Sequence, residues 1–210
     1  AFSMAFVPVL NDYRERSDGP ALKRFIDDTA GTLGLLLLAI TLLGVLAALA
    51  QYELRRLLGF HIVSQVGYMV LGLGLFTPLA LAGAVFYLIH HIIVKANLFL
   101  ISGLIGKICG HDELQNLGGL YRRSGFLAVL FLIPAFSLAG FPPLSGFWAK
   151  FILIQASLEI GAYGAAAVAL VVGLLTVYSM TKIWIGAFWA PAPADGPPES
   201  RGVSAGATLP

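Results

Sequence analysis

Long apolar runs without a charged residue constrain this chain more than any other feature. Gly31 to Ala50 covers 20 residues and contains no charged side chain. In a helix, 20 residues extend about 30 Å, which is the thickness of the hydrocarbon core of a bilayer. The whole chain is 58% hydrophobic and only 11% charged, with a mean hydropathy of +0.86. This composition excludes an ordinary soluble domain and predicts an all-α protein that crosses a membrane several times.

Five crossings are predicted, over residues 31–50, 61–76, 79–106, 125–158 and 162–189. The helix of the second run is expected to begin a few residues before His61. Thr77 and Pro78 separate the second run from the third, because proline disfavours helix at the preceding residue and is favoured at a helix start.

The fourth run has two interpretations, because Pro142 and Pro143 divide it. It forms either two short spans or one discontinuous crossing made of two half-helices. The positive-inside rule favours one discontinuous crossing, which leaves the basic residues after the first crossing on one face, predicted to be cytoplasmic: Arg55, Arg56, Lys107, Arg122, Arg123, Lys182 and Arg201. The basic residues of the N-terminal segment, accompanied by acids, fall on the other face.

The apolar runs define the organisation of the chain. Residues 1–30 are interpreted as the end of a preceding helix and a polar loop, residues 31–189 as the transmembrane bundle, and residues 190–210 as a flexible Pro/Ala/Gly-rich loop or tail. The sequence begins within an apolar stretch and its first residue is not methionine, which indicates a piece of a longer protein. Cys109 is the single cysteine, so an intrachain disulfide and a Cys-rich metal site are excluded. The basic residues form short clusters beside apolar runs, which argues against nucleic-acid binding.

Three cationic or titratable side chains lie within the third run. His90 and His91 are adjacent, and Lys95 follows four residues after His91, more than two turns from either end of the run. A lysine near the bilayer centre costs at least about 2.5–3.5 kcal/mol on insertion scales, so another interaction or a function must justify its presence there. The spacing of four places His91 and Lys95 on one helix face, whereas His90 points about 100° away. A histidine and a lysine so placed can share a water molecule or a proton.

A further lysine follows the break in the fourth run. Lys150 comes shortly after Pro142, Pro143 and Gly146, three residues that interrupt helical hydrogen bonding. Lipid cannot hydrogen-bond the freed backbone groups, so broken helices occur at membrane depth only against protein or a water-filled cavity. A discontinuous helix that carries a charge is the recurrent architecture of ion sites in transporters.

A polar stripe runs along the second predicted helix. Its members fall at positions i, i+3, i+4 and i+7, so they share a face that we expect to line the bundle interior: His61, Ser64, Gln65 and Tyr68. This stripe could hold water molecules between the two lysines, or it could be a packing and hydrogen-bonding face.

The histidines and lysines at membrane depth could also have a purely structural role. His91 and Lys95 could form an interhelical hydrogen bond, and Lys150 could extend its amine to an interface if the fourth run made two short spans. His90 could serve packing or function. The sequence contains no glycine-rich phosphate loop, nucleophile elbow or paired carboxylates, so enzymatic catalysis has no support.

Three segments resemble, in order, motifs of the antiporter-like membrane subunits shared by Mrp-type cation/proton antiporters and respiratory complex I. They are Arg55–Met69, His90–Leu100 and Leu138–Lys150. The paired histidines and the run from Phe60 to Gln65 are most similar to the D-type subunits of Mrp sodium/proton antiporters. The resemblance covers about residues 31–189.

The resemblance implies a fold and roles for individual residues. In the family, two inverted five-helix repeats each carry a half-channel and a discontinuous helix, and this chain is similar to the second repeat. Lys95 corresponds to the central lysine, His91 to its neighbouring histidine and Lys150 to the lysine of the broken helix. The first repeat, with its glutamate and lysine, falls outside this sequence.

The resemblance further implies a proton-conducting subunit of a multisubunit sodium/proton antiporter in a prokaryotic plasma membrane. Its expected partners are other membrane subunits and the lipid bilayer, with protons and sodium as transported ions and no cofactor. Two alternatives are a proton-translocating membrane subunit of an NADH-quinone-type dehydrogenase and a structural membrane scaffold that conducts no ions.

Overall fold

The computed structural model describes residues 38–191, and this part of the chain is helical. The predicted segment 1–30 and nearly all of the predicted tail 190–210 lie outside the described residues. The helices are α1 (Leu38–Ala50), α2 (Leu54–Leu75), α3 (Pro78–Cys109), α4 (Leu120–Arg123), α5 (Gly125–Ala139), α6 (Ser145–Glu159) and α7 (Tyr163–Trp184), and α7 continues as a π-helix over Ile185–Trp189.

Local sequence signals set the boundary between α2 and α3. α2 starts at Leu54, so the expectation that this helix begins before His61 is confirmed. Thr77 adopts an extended conformation, and its hydroxyl accepts a hydrogen bond from Ala80 N at 3.1 Å. Pro78 then occupies the start of α3. The first N–H groups of a helix have no acceptor within it, so proline, which lacks this N–H, loses no helical hydrogen bond there.

One end of the bundle gathers the C-terminal ends of α1, α3 and α7. There, the N–H of Leu54 donates to Asp112 O at 2.9 Å, and the N–H of Gly119 donates to Ala190 O at 2.7 Å. α7 therefore ends at the face from which α5 departs. Consequently α5 and α6 together make a single passage to the opposite face, and α7 returns. The prediction of one discontinuous crossing at Pro142-Pro143 is confirmed.

Three helices among the described residues are long and apolar enough to cross a membrane: α2, α3 and the continuous segment Tyr163–Trp189. α5 and the described part of α1 are shorter apolar helices. The length of α5 is limited because its crossing continues in α6 beyond the break.

The interior of the bundle contains two apolar clusters with a polar layer between them. One cluster includes Leu57, Leu98 and Phe131, near the end of the bundle where α1 and α7 finish. The other includes Tyr68, Tyr87 and Leu153. Along α2 and α7 the buried polar residues fall between the members of these two clusters, and on α3 His90 and His91 do so, while Lys95 lies beside Val94 of the first cluster. This layer contains the residues that the sequence singles out.

Candidate proton pathway

Both lysines predicted at membrane depth are buried. Lys95 on α3 is 5% exposed, and its Nζ donates to Leu58 O of α2 at 2.8 Å. Lys150 on α6 is 6% exposed, and its Nζ donates to Leu138 O at 2.8 Å and to Ala139 O at 3.1 Å. Within residues 38–191, the two ion pairs join Arg55 to Asp112 and Arg56 to Glu53, so neither buried lysine pairs with a carboxylate. Both amines are therefore stabilised by neutral backbone oxygens.

The helix break positions Lys150. α5 ends at Ala139, and Gly140 follows with φ +91°, a conformation that strongly favours glycine. The last carbonyls of a helix lack partners within it and carry partial negative charge. Lys150 satisfies two of them from the first turns of α6. The broken helix thus creates the binding site for the amine that the sequence places beside it.

The two histidines face different surroundings. The Nδ1 of His90 lies 2.9 Å from Ser145 Oγ, at the start of α6, and Ser145 Oγ lies 3.2 Å from Ser137 Oγ at the end of α5. His91 is 6% exposed, and neither of its ring nitrogens has a hydrogen-bond partner among the described residues. His90 therefore connects α3 to the helix break, while His91 keeps both nitrogens available on the face it shares with Lys95.

The polar stripe of α2 lies against α7. His61 Nε2 is 2.7 Å from Ser179 Oγ, and Gln65 Nε2 donates to Thr176 Oγ1 at 3.1 Å. The hydroxyl of Tyr68 donates to a backbone oxygen of α7, that of Ala169, at 2.5 Å. The fourth member, Ser64, is fully buried, and its hydroxyl lacks a hydrogen-bond partner in the described part of the chain. The stripe thus faces the interior, and three of its members fix α2 to α7.

Tyr87 is a central residue that the sequence interpretation missed. It is fully buried on α3, and its hydroxyl donates to Gln65 Oε1. Its ring stacks on Tyr68, with centroids 5.0 Å apart, and on His91, with centroids 6.3 Å apart. Its position four residues before His91 could have revealed it, because Tyr87, His91 and Lys95 recur once per helical turn. The sequence interpretation also missed Thr176 and Ser179, because hydroxyl side chains are common in apolar helices and carry no charge that would single them out.

The residues gathered here are of types that can transfer protons. Lysine, histidine, tyrosine and serine side chains lie together in the interior of the bundle, and each can donate, accept or relay a proton. Residues 38–191 contain no cluster of histidine, cysteine or carboxylate side chains able to hold a metal ion.

Comparison with known families agrees with this architecture. Residues 21–176 match the family described as the transmembrane region of NADH:quinone oxidoreductase and Mrp antiporter proteins. The D-type subunit of the Na(+)/H(+) antiporter of Alkalihalophilus pseudofirmus is 55% identical over 159 residues, which are 75% of this chain and 32% of that protein. The D-type subunit of the Na(+)/H(+) antiporter of Bacillus subtilis is 38% identical over 168 residues, covering 79% of this chain and 34% of that protein. The chain thus spans about a third of the length of these relatives.

Solved structures show the same fold. A chain of the Mrp complex from a Dietzia species matches with a TM-score of 0.76 and 46% identity, covering 80% of this chain and 32% of the other. A chain of respiratory complex I from Thermus thermophilus matches with a TM-score of 0.74 and 26% identity, over 81% of this chain and 36% of the other.

The sequence-based resemblance to D-type subunits is confirmed by these comparisons, as is the placement in a prokaryotic plasma membrane as a multi-pass protein. The match over residues 21–176 and the D-type relatives show that this chain belongs to the antiporter-like family of membrane subunits shared by Mrp antiporters and NADH:quinone oxidoreductases.

Proposed function

We propose that this chain forms a proton half-channel within one component of a multisubunit sodium/proton antiporter, a secondary active transporter. Protons pass along His91, Lys95 and Lys150, and sodium is exported elsewhere in the assembly. Other membrane subunits are its partners. The two D-type relatives support this proposal, because both are named as parts of an Na(+)/H(+) antiporter.

One observation carries the proposal: two buried amines are bound by backbone carbonyls, and no carboxylate of residues 38–191 pairs with them. A lysine locked to a buried carboxylate would form a stable ion pair whose separation is costly. An ammonium group held only by neutral oxygens remains poorly solvated, so loss of its proton relieves a desolvation cost. The same carbonyls keep the amine in place for the next proton.

The surroundings of the lysines supply groups through which a proton can move. His91 lies one turn from Lys95 with both ring nitrogens unpartnered within the described region. Buried polar atoms without a protein partner are the usual positions of internal water. Water at His91 would connect it to Lys95 and extend the path towards the polar stripe of α2.

A second candidate is a proton-translocating membrane subunit of an NADH-quinone-type dehydrogenase. A chain of respiratory complex I shares the fold with a TM-score of 0.74, and this likeness supports the candidate. Both candidates use the same buried lysines, so the residues of this chain do not separate them. The composition of the assembly separates the two candidates, because a dehydrogenase would contain flavin and iron-sulfur proteins, whereas an antiporter would contain only membrane subunits.

Sodium/proton exchange in inverted membrane vesicles tests the proposal. The full-length protein with its partner subunits is expressed in a host without its own antiporters, and sodium is added after a pH gradient is established. We expect Lys95→Ala and Lys150→Ala each to abolish most of the sodium-dependent change in the gradient. The matched control is Lys107→Ala, which removes a lysine from the last turn of α3, and it is expected to retain exchange.

If the chain were a structural scaffold that conducts no ions, both lysine variants would keep normal exchange. If assembled complexes with Lys95→Ala or Lys150→Ala exchange ions at the normal rate, the lysines do not conduct protons and the proposal fails. Quantitative immunoblotting of the complex in the same vesicles separates lost transport from lost assembly.

A further inference from the structure

Two stacked tyrosines lie between the buried lysines. Lys150 Nζ is 5.3 Å from the centroid of the Tyr68 ring. Tyr68 stacks on Tyr87 at a centroid distance of 5.0 Å and an interplanar angle of 15°. Tyr87 in turn stacks on His91 at an angle of 16°, and Lys95 follows one turn later on the same helix. One series of contacts from Lys150 towards the Lys95 site therefore passes through two aromatic rings.

Hydrogen bonds hold both rings in place. The hydroxyl of Tyr68 donates to Ala169 O, and that of Tyr87 donates to Gln65 Oε1. Gln65 is itself fixed, because its Nε2 donates to Thr176 Oγ1, whose hydroxyl donates to Val172 O. The orientation of Tyr87 is thus set by a chain of donors and acceptors that ends on the backbone of α7.

We infer that Tyr87 is the positioning residue of an aromatic barrier that separates the Lys95 site from the Lys150 site. This inference deepens the proposed function and rests on it. The two rings are at most 2% exposed, and the faces that they present to each other have no exchangeable proton. At a centroid distance of 5.0 Å the stack leaves no space for water between the rings. Along this route a proton does not cross the two rings while Tyr87 stays bound to Gln65, and this limits uncoupled leakage.

The surroundings of the Tyr87 ring make the inference testable. The ring nitrogens of His91 lack partners within the described residues, and Gln65 Oε1 would lose its donor if Tyr87 were truncated. A cavity lined by polar atoms fills with water, in contrast to a purely apolar cavity. Replacing Tyr87 with alanine is therefore expected to open a hydrated space beside His91 rather than a dry void.

The test measures proton leakage through the full complex in membrane vesicles. A pH gradient is imposed without sodium, and its decay is followed with a fluorescent probe. Tyr87→Ala is expected to accelerate decay several-fold relative to wild type. Tyr87→Phe keeps the ring but loses the hydrogen bond to Gln65, so it is expected to leak less than Tyr87→Ala and more than wild type. Gln65→Leu, which keeps both rings but removes the acceptor, is expected to leak less than Tyr87→Ala and more than wild type. Tyr178→Ala removes an exposed tyrosine of α7 and is the control without leakage.

Combining Tyr87→Ala with Lys95→Ala identifies the route of the leak. If protons reach the opened space through Lys95, the double variant loses most of the additional leakage. The inference is overturned if assembled complexes carrying either Tyr87→Ala or Gln65→Leu decay at the wild-type rate, or if Tyr87→Phe leaks as much as Tyr87→Ala. Should Lys95→Ala alone retain sodium/proton exchange while Tyr87→Ala still leaks, the proposed function fails and the barrier stands.

Discussion

Adjacent residues in this chain have different surroundings, and the two histidines show it most clearly. His90 is bound to Ser145 at the helix break, whereas His91 stacks on Tyr87 and leaves both ring nitrogens unpartnered in the described part of the chain. The helical period separates their directions by about 100°. One nitrogen of His90 is thereby engaged at the helix break, while its Nε2 and both nitrogens of His91 have no partner among the described residues.

This difference predicts which histidine relays protons. We expect His91→Ala to lose most sodium/proton exchange while the complex still assembles, because its ring nitrogens are free to exchange protons. His90→Ala should instead lower the midpoint of thermal unfolding of the detergent-solubilised complex, because it releases the contact with Ser145. Exchange and thermal unfolding measured on both variants would contradict this assignment if their effects were reversed.

The residue-level prediction from sequence was incomplete for a physical reason. Lys95 and Lys150 stand out because charge is rare in a membrane segment. Tyr87 does not, because tyrosine is common among apolar residues, and its role depends on contacts with Gln65 and Tyr68 of another helix. The stripe on α2 indicated a buried face, but its partners Thr176 and Ser179 are separated from it by more than 100 residues of sequence.

At the scale of helices, the break between α5 and α6 organises the site. Pro142, Pro143 and Gly146 correctly predicted this break, because such residues interrupt helical hydrogen bonding. The destination of the freed carbonyls was not predictable, because Lys150 reaches them only through the angle that α6 adopts after the break. The π-helix over Ile185–Trp189 also had no signal in the sequence, which simply continues the apolar run of α7.

Close packing at the break predicts that Gly146 is irreplaceable. A methyl group at this position would collide with the carbonyl of Ser137 on the facing end of α5. Because backbone cannot move as a flexible side chain does, we expect Gly146→Ala to destabilise the protein by about 1–3 kcal/mol, as overpacked cores do. The measurement is the amount of assembled complex and its unfolding midpoint in detergent.

Gly59→Ala provides the matched control for this prediction. An added methyl group at Gly59 meets no atom within 4 Å among the described residues. Glycine inside a helix is less favourable than alanine by about 0.5–1 kcal/mol, so this variant should be as stable as wild type or more so. Equal stability of the Gly146→Ala and Gly59→Ala variants would argue against tight packing at the break.

The end of α1 is held by a lysine with a structural role. Lys182 Nζ donates to Leu49 O at 2.8 Å and to Gln51 O at 2.9 Å, and it lies 4.1 Å from the centroid of the Tyr52 ring. We expect Lys182→Met to lower the unfolding midpoint of the complex by a few degrees, because the last carbonyls of α1 lose their donor. Sodium/proton exchange at low temperature should remain close to wild type. A selective loss of exchange with normal stability would instead place Lys182 in the proton pathway.

At the scale of the whole molecule, this chain is a helical bundle that matches part of a longer relative. It spans about a third of the length of its D-type relatives, and its large exposed hydrophobic side chains include Leu73, Leu100 and Leu174. Lipid or further membrane helices cover such surfaces in a membrane protein.

Assembly composition gives a prediction at this scale. We expect the full-length protein, purified in mild detergent through an affinity tag, to carry several small membrane subunits. Absorbance spectra and iron analysis of the purified complex should show neither flavin nor iron-sulfur clusters in stoichiometric amounts. Stoichiometric recovery of such centres would favour the dehydrogenase over the antiporter.

The central claim is that a buried amine at position 95 releases and regains a proton, and Lys95→Arg tests it most directly. Arginine keeps a positive charge at this position but does not deprotonate in proteins. Sodium/proton exchange by the reconstituted full complex should therefore fall to the level of Lys95→Ala, with assembly preserved. Exchange by the Lys95→Arg complex at the wild-type rate would contradict the account, because a fixed charge would then suffice.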